Sequence, residues 1–209
     1  TPWSVFLRML LARYGEHLDD EQAGPTRFEL TRFQADGVKR MRRLLDEIGG
    51  VLVADEVGLG KTFLALEVIA AATEEQRQRV LVAAPAALKA SVWDPVLEQY
   101  DISRRVSVHS YEEIRSRMDP THPEHNSFYE RAEDAALVIV DEAHNLRNAG
   151  AARSAALDRI ILAGRHPKKV VLLTATPVNN SLIDLETLVK YFIRDDARFA
   201  SIGIPSIRT

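Results

Sequence analysis

The 209-residue sequence predicts an α/β protein with a mostly parallel central sheet. Three observations carry that prediction. Five short apolar, β-branched runs punctuate the chain, at residues 51–54, 80–84, 106–108, 137–140 and 170–174. Three of these runs are apolar at nearly every position, as strands covered on both faces require. Most of the gaps between them hold a segment with helical spacing, and connections of that length are crossovers. The strands therefore run parallel, and ligands are expected at their carboxyl ends.

Helical periodicity predicts helices over 35–48, 62–72, 92–100, 151–162 and 182–191, with a short one over 111–117. Residues 118–126 contain Pro120, Pro123, two histidines and few apolar side chains, and read as an exposed, mobile loop. Ahead of the first strand, Trp3, Phe6, Leu7, Leu10 and Leu11 stand at helix-like spacing, so residues 1–29 are expected to be a flanking helical segment. Residues 196–209, with Gly203 and Pro205, read as a tail leading elsewhere. The chain starts at Thr1 without a Met and is expected to be part of a longer protein.

Composition narrows the function classes. Hydrophobic residues make up 46% and charged residues 27%, which excludes a long disordered or collagen-like chain. Lys and Arg number 27 against 30 Asp and Glu, a formal net charge of -3, so any nucleic-acid binding must be local to a groove. Lys39, Arg40, Arg42 and Arg43 read as the solvated face of a helix, and Arg165, Lys168 and Lys169 fall at the amino end of the fifth strand. No apolar run approaches the ~18 residues of a membrane span, so no membrane partner is expected. The absence of cysteine rules out disulfide and thiolate metal sites and is consistent with a reducing, intracellular setting.

The chemistry-bearing residues cluster at the carboxyl ends of three strands. The first run leads through Asp55, Glu56, Val57, Gly58, Leu59, Gly60, Lys61 and Thr62 into a helix. There Gly58 and Gly60 let backbone N–H groups close on phosphate oxygens, Lys61 neutralises the β and γ phosphates, and the Thr62 hydroxyl ligates magnesium. Asp55 stands where the general phosphate-loop pattern has glycine, and the plainer reading is a Gly-rich turn. The fourth run ends in Asp141, Glu142, Ala143 and His144. This order suits a magnesium-holding Asp141, a water-orienting Glu142 and a His144 that reports nucleotide state. A helix start enriched in acids, and a structural histidine, are the alternatives. The fifth run ends in Thr174, Ala175, Thr176 and Pro177, where two hydroxyls reach the acids or simply form a turn.

Together these segments resemble the first RecA-like lobe of Swi/Snf-type ATPases, within the helicase superfamily that contains the DEAD and DEAH proteins. The resemblance covers about residues 30–192. Residues 30–38 look like the family's Gln motif, which makes Gln34 an adenine reader, and residues 55–62 are similar to the family's own phosphate loop, with its acidic pair. Asp141 to His144 followed by Arg147 and Asn148, and Leu173 to Asn180, are similar to its second and third motifs. The resemblance implies a RecA-like P-loop three-layer sandwich over residues 30–195, ATP and Mg2+ as cofactors, and water attack on the γ-phosphate. Double-stranded DNA is the implied track, and a second RecA-like lobe is the implied partner, supplying an arginine finger. Pro85, Lys89, Ser91, Ser110 and Tyr111 are the implied nucleic-acid contacts, with capped helices and packed aromatics as the alternative, and Arg147 is a candidate for DNA or the second lobe, with a plain salt bridge as the alternative. The stretch from Pro85 to Trp93 runs one residue longer than the family pattern. An RNA helicase, a restriction or defence motor subunit, and a nucleotide-sensing scaffold remain open.

Overall fold

The computed structural model describes residues 26–54, 60–147, 151–176 and 182–193. The expected flanking helix and the tail lie outside the described residues, apart from residues 26–29.

Helix α1, Arg32–Glu47, begins three residues before the apolar periodicity does, because the Thr31 and Gln34 side chains cap it reciprocally. Thr31 Oγ1 accepts from the Gln34 amide at 3.3 Å, and Gln34 Oε1 accepts from the Thr31 amide at 2.9 Å. Val38, Met41 and Leu45 form its buried stripe. A turn at Gly49, with φ of 83°, leads into β1, Gly50–Val53. Helix α2, Lys61–Ala70, buries every residue from Leu64 to Ala70 and ends in a wide π turn, Ala71–Glu75.

Strand β2, Arg79–Ala84, is followed by α3, Ala86–Leu88, a π turn at Lys89–Trp93, and α4, Asp94–Gln99. Strand β3, Val106–Ser110, runs straight into α5, Tyr111–Arg117. Next come α6, His125–Asp134, β4, Ala135–Val140, a 3-10 turn at Ala143–Leu146, α7, Ala152–Leu162, β5, Lys169–Leu173, and α8, Leu182–Val189.

The five strands form one sheet in the order β1-β5-β4-β2-β3, and every described pairing is parallel. Their registers bring the carboxyl ends to one edge. Val53 pairs with Leu173, Leu172 with Val140, Val140 with Ala83, and Ala84 with Ser110. Two further ladder bonds extend this alignment past the strands, from the Thr174 amide to Val53 O at 3.0 Å and from the Asp141 amide to Ala83 O at 2.8 Å.

Alternation along each strand feeds two cores. Val80, Val82, Leu137, Ile139, Val171 and Leu173 pack with α1, α2 and Trp93, whereas Leu81, Ala83, Val138, Val140, Val170 and Leu172 pack with α5, α6, α7 and α8. The sheet is thus covered on both faces, as the continuous apolar runs demand.

Two elements differ from expectation. Part of the predicted loop at 118–126 belongs to α6, whose inward stripe is just Phe128 and Ala132, too sparse to show as a period in the sequence. The helix predicted over 92–100 starts earlier, at Ala86, because the π turn accommodates one residue more than an α-helical path would. Among the described residues no helix is long and apolar enough to cross a membrane. Lys168, at the amino end of β5 as expected, is buried and donates to the carbonyls of Glu133 and Ala135 at 2.8 and 2.7 Å.

His109 on β3 sits edge-on to Phe128 at 5.0 Å, with its Nδ1 3.1 Å from Arg117 Nη1. Burial, and then the Arg117 charge, lower its pKa from 6.5 to about 4. The unfolded chain takes up a proton that the folded chain refuses, so this contribution is full above 6.5 and is lost as pH falls towards 4. Urea midpoints at about pH 7 and about pH 5 should therefore differ, with the folded state weaker in acid. A His109→Gln variant should shrink that difference, and an unchanged difference would reject the assignment.

Candidate functional site

The nucleotide side of the edge is built by α1 and α2. Gly60 caps α2 with φ of 80°, and its carbonyl accepts from the amides of Phe63 and Leu64 at 2.9 and 3.2 Å. The Gln34 side chain, aimed by its capping box, lies over Gly60, where a Cβ would overlap its amide nitrogen. Glycine is thus favoured at position 60 by the left-handed backbone, and a Cβ there would also displace the end of the Gln34 side chain. Lys61 and Thr62 open the helix, half-buried. Asp55, Glu56, Gly58 and Leu59 lie outside the described residues.

The acidic pair leaves β4 at the centre of the edge. Asp141 is buried and held on every side. Its Oδ2 accepts from the Trp93 indole at 2.8 Å, its Oδ1 from the Glu142 amide at 2.9 Å, and its carbonyl from the Tyr111 hydroxyl at 2.5 Å. Burial pushes its carboxyl above the ordinary range, opposed by the Trp93 and Glu142 hydrogen bonds; the Glu142 charge adds to the rise and Lys61 counters it. The Lys61 charge therefore acts on this carboxylate from the start of α2.

Glu142 has φ of 52° and ψ of 48°, a left-handed conformation that costs a non-glycine residue roughly 1–2 kcal/mol. Asn145 holds it there, its amide and side-chain nitrogens donating to Glu142 O at 3.0 and 2.9 Å. The Glu142 carboxylate lies 2.9 Å from His144 Nδ1, and the same nitrogen is 3.4 Å from the buried Thr174 hydroxyl. Thr174 Oγ1 accepts from the Thr176 amide at 3.2 Å, and Thr176 Oγ1 accepts from Arg147 Nη2 at 3.1 Å. A continuous polar chain thus joins Glu142 to the end of β5 through His144, and neither Thr174 nor Thr176 is bonded directly to a carboxylate among the described contacts.

Two of the expected nucleic-acid contacts are corrected. Ser110 is buried and caps α5, accepting from the Glu113 amide at 3.1 Å, and Tyr111 is buried with its hydroxyl on Asp141 O. Neither side chain offers a surface. Pro85 and Lys89 are half-buried and Ser91 is exposed; Lys89 pairs with Asp94 at 2.7 Å and the Ser91 hydroxyl bonds Ala87 O at 2.8 Å. Trp93 has no role in the sequence reading beyond marking a family segment. The available signal is chemical, since a buried indole needs an acceptor for its N–H.

Among the described residues no group of three or more His, Asp or Glu is placed to hold a metal. Magnesium carried on phosphates keeps waters and takes only one or two protein oxygens. Asp141 fits the demand, because each carboxylate oxygen has one lone pair left after its hydrogen bond.

Residues 97–198 match the model of the SNF2-related domain. A probable ATP-dependent DNA helicase of Arabidopsis thaliana, CHR23, is 29% identical over 185 residues, covering 79% of this chain and 17% of that protein. The chromodomain-helicase-DNA-binding protein 1-like of Danio rerio is 27% identical over 180 residues, covering 78% of this chain and 17% of that protein. The chain therefore spans about one sixth of the length of these relatives. In structure it is similar to the Sulfolobus solfataricus SWI2/SNF2 ATPase core in complex with dsDNA, with a TM-score of 0.64 and 20% identity over 86% of this chain and 40% of that one. The expected RecA-like fold is the observed one.

Tyr111→Phe should leave the Asp141 carbonyl buried without its partner and destabilise the protein by about 1–3 kcal/mol. Equilibrium urea unfolding measures this, and an unshifted midpoint would deny the bond a structural role.

Proposed function

We propose that the chain is the ATP-binding lobe of an ATP-dependent double-stranded DNA translocase or remodeller, an intracellular motor that hydrolyses ATP to move along DNA. The observation that carries this reading is the shared edge. Gly60 and Lys61 at the start of α2, the Asp141–Glu142 pair after β4 and the Thr174–Thr176 turn after β5 all lie where the parallel strands end. Its likeness to a SWI2/SNF2 core in complex with dsDNA supports the duplex track.

Residues 55–62 form the phosphate loop in this reading. Backbone amides there and Lys61 bind the β and γ phosphates, and Gln34 reads the adenine from its place over Gly60. Magnesium, when bound, neutralises charge developing on the phosphates, and Thr62 and Asp141 are the residues that would hold it. Glu142 orients the attacking water, and its link to His144 and Thr174 passes the state of that position to the end of β5. Arg147, paired with Thr176, would face DNA or a second RecA-like lobe. That second lobe supplies the arginine finger, so the isolated chain hydrolyses ATP poorly.

Lys61→Ala should abolish ATP binding measured by calorimetry, and retained binding would remove the phosphate-loop assignment. In the full-length protein, Glu142→Gln should keep ATP binding and lose turnover. Normal steady-state hydrolysis in that variant would contradict its role. Linear duplex DNA should stimulate the full-length ATPase, and the stimulation should weaken with salt as phosphate contacts require. Stimulation by RNA alone would favour an RNA helicase, and none at all a nucleotide-sensing scaffold. Strand separation would point to a helicase rather than a translocase that leaves the duplex intact.

A further inference from the structure

The Asp141 carboxylate is fixed by two donors on different oxygens. One comes from its chain neighbour, the Glu142 amide; the other is the Trp93 indole, 48 residues away in sequence. A carboxylate held by the local donor alone keeps a broad range of orientations about its last torsion. The indole removes that freedom, because Trp93 is itself fully buried among the apolar residues between the sheet and α1, α2 and α4. Groups that hydrogen-bond a metal ligand govern its aim, and their loss commonly weakens metal binding 10–100-fold.

The location of Trp93 gives this bond a second consequence. It is the last residue of the π turn Lys89–Trp93, whose other residues include half-buried Lys89 and exposed Ser91. Lys89 is tied to Asp94, the residue after Trp93, so the turn is braced on both sides of the indole. The Trp93 ring is thus a direct connection between this segment and the Asp141 carboxylate.

We propose that Trp93 is a positioning residue for Asp141, and that it makes this carboxylate respond to the segment following β2. The proposal rests on the ATPase reading above, in which Asp141 holds the metal and that segment meets the track.

The test uses the full-length protein and Mn2+ in place of Mg2+, with a non-hydrolysable ATP analogue, free Mn2+ being followed by electron paramagnetic resonance. Trp93→Phe should weaken Mn2+ binding about tenfold while affinity for the analogue without metal is unchanged. In turnover, kcat should fall with little change in KM for ATP. Duplex DNA should alter Mn2+ affinity in the unsubstituted protein and not in Trp93→Phe. A variant with a lower melting temperature but unaltered Mn2+ affinity would reduce Trp93 to a packing residue and overturn the proposal, and an equal response to DNA in both proteins would overturn the coupling. If Trp93→Phe does not fold, the unsubstituted protein decides: the Trp93 indole 15N–1H resonance should broaden on adding Mn2+ with the analogue, and a sharp signal would overturn the placement. Retained nucleotide binding in Lys61→Ala would instead show that the underlying ATPase reading has failed.

Discussion

A buried carboxylate must be given donors, and meeting that demand at Asp141 shapes much of this edge. Its two oxygens and its carbonyl draw on the segment after β2, on the turn after β4 and on the start of α5. Those donors arrive together only because β2, β3 and β4 are parallel neighbours in a register that ends them level. The alternating apolar residues of those strands in turn anchor the helices that carry Trp93 and Tyr111. Packing therefore places the donors, and the donors keep an ionisable group in an interior that would otherwise exclude its charge.

The sheet was legible because strands covered on both faces are apolar at successive positions, and each of the five predicted runs falls within one or two residues of an observed strand. The helix His125–Asp134 was not, since two buried side chains on a polar background leave almost no period. The segment from Asp55 to Thr62, the acidic pair and the threonine turn could be read because each begins where an apolar run stops. Their wiring could not: that His144 lies between Glu142 and Thr174, or that Arg147 reaches Thr176, depends on distances across strands that a linear pattern does not encode. Ser110 and Tyr111 illustrate the converse. Their types suit a phosphate contact, but a capping box and a buried hydroxyl use the same chemistry inward.

Two of the left-handed backbone positions fall at the site. Glu142 holds a left-handed backbone without being glycine, and Gly60 holds one beneath the end of the Gln34 side chain. The Arg147 Nε is buried without a partner among the described atoms while Nη2 bonds Thr176. Such departures are tolerated where surrounding contacts over-determine the geometry, and here Asn145 and the Thr174–Thr176 turn supply those contacts.

The π turn at Lys89–Trp93 bears on how this segment can change length. Adding a residue to an ordinary α-helix rotates everything beyond it by about 100°, enough to swing an inward ring to the surface. A π turn takes up the added residue as a local widening, so the chain on either side keeps its facing. Deleting one residue between Pro85 and Trp93 would restore an α-helical path with the indole still turned inward, whereas a second insertion would exhaust the widening. Single-residue gaps are therefore structurally compatible with this segment, and larger ones would separate the indole from the carboxylate it holds.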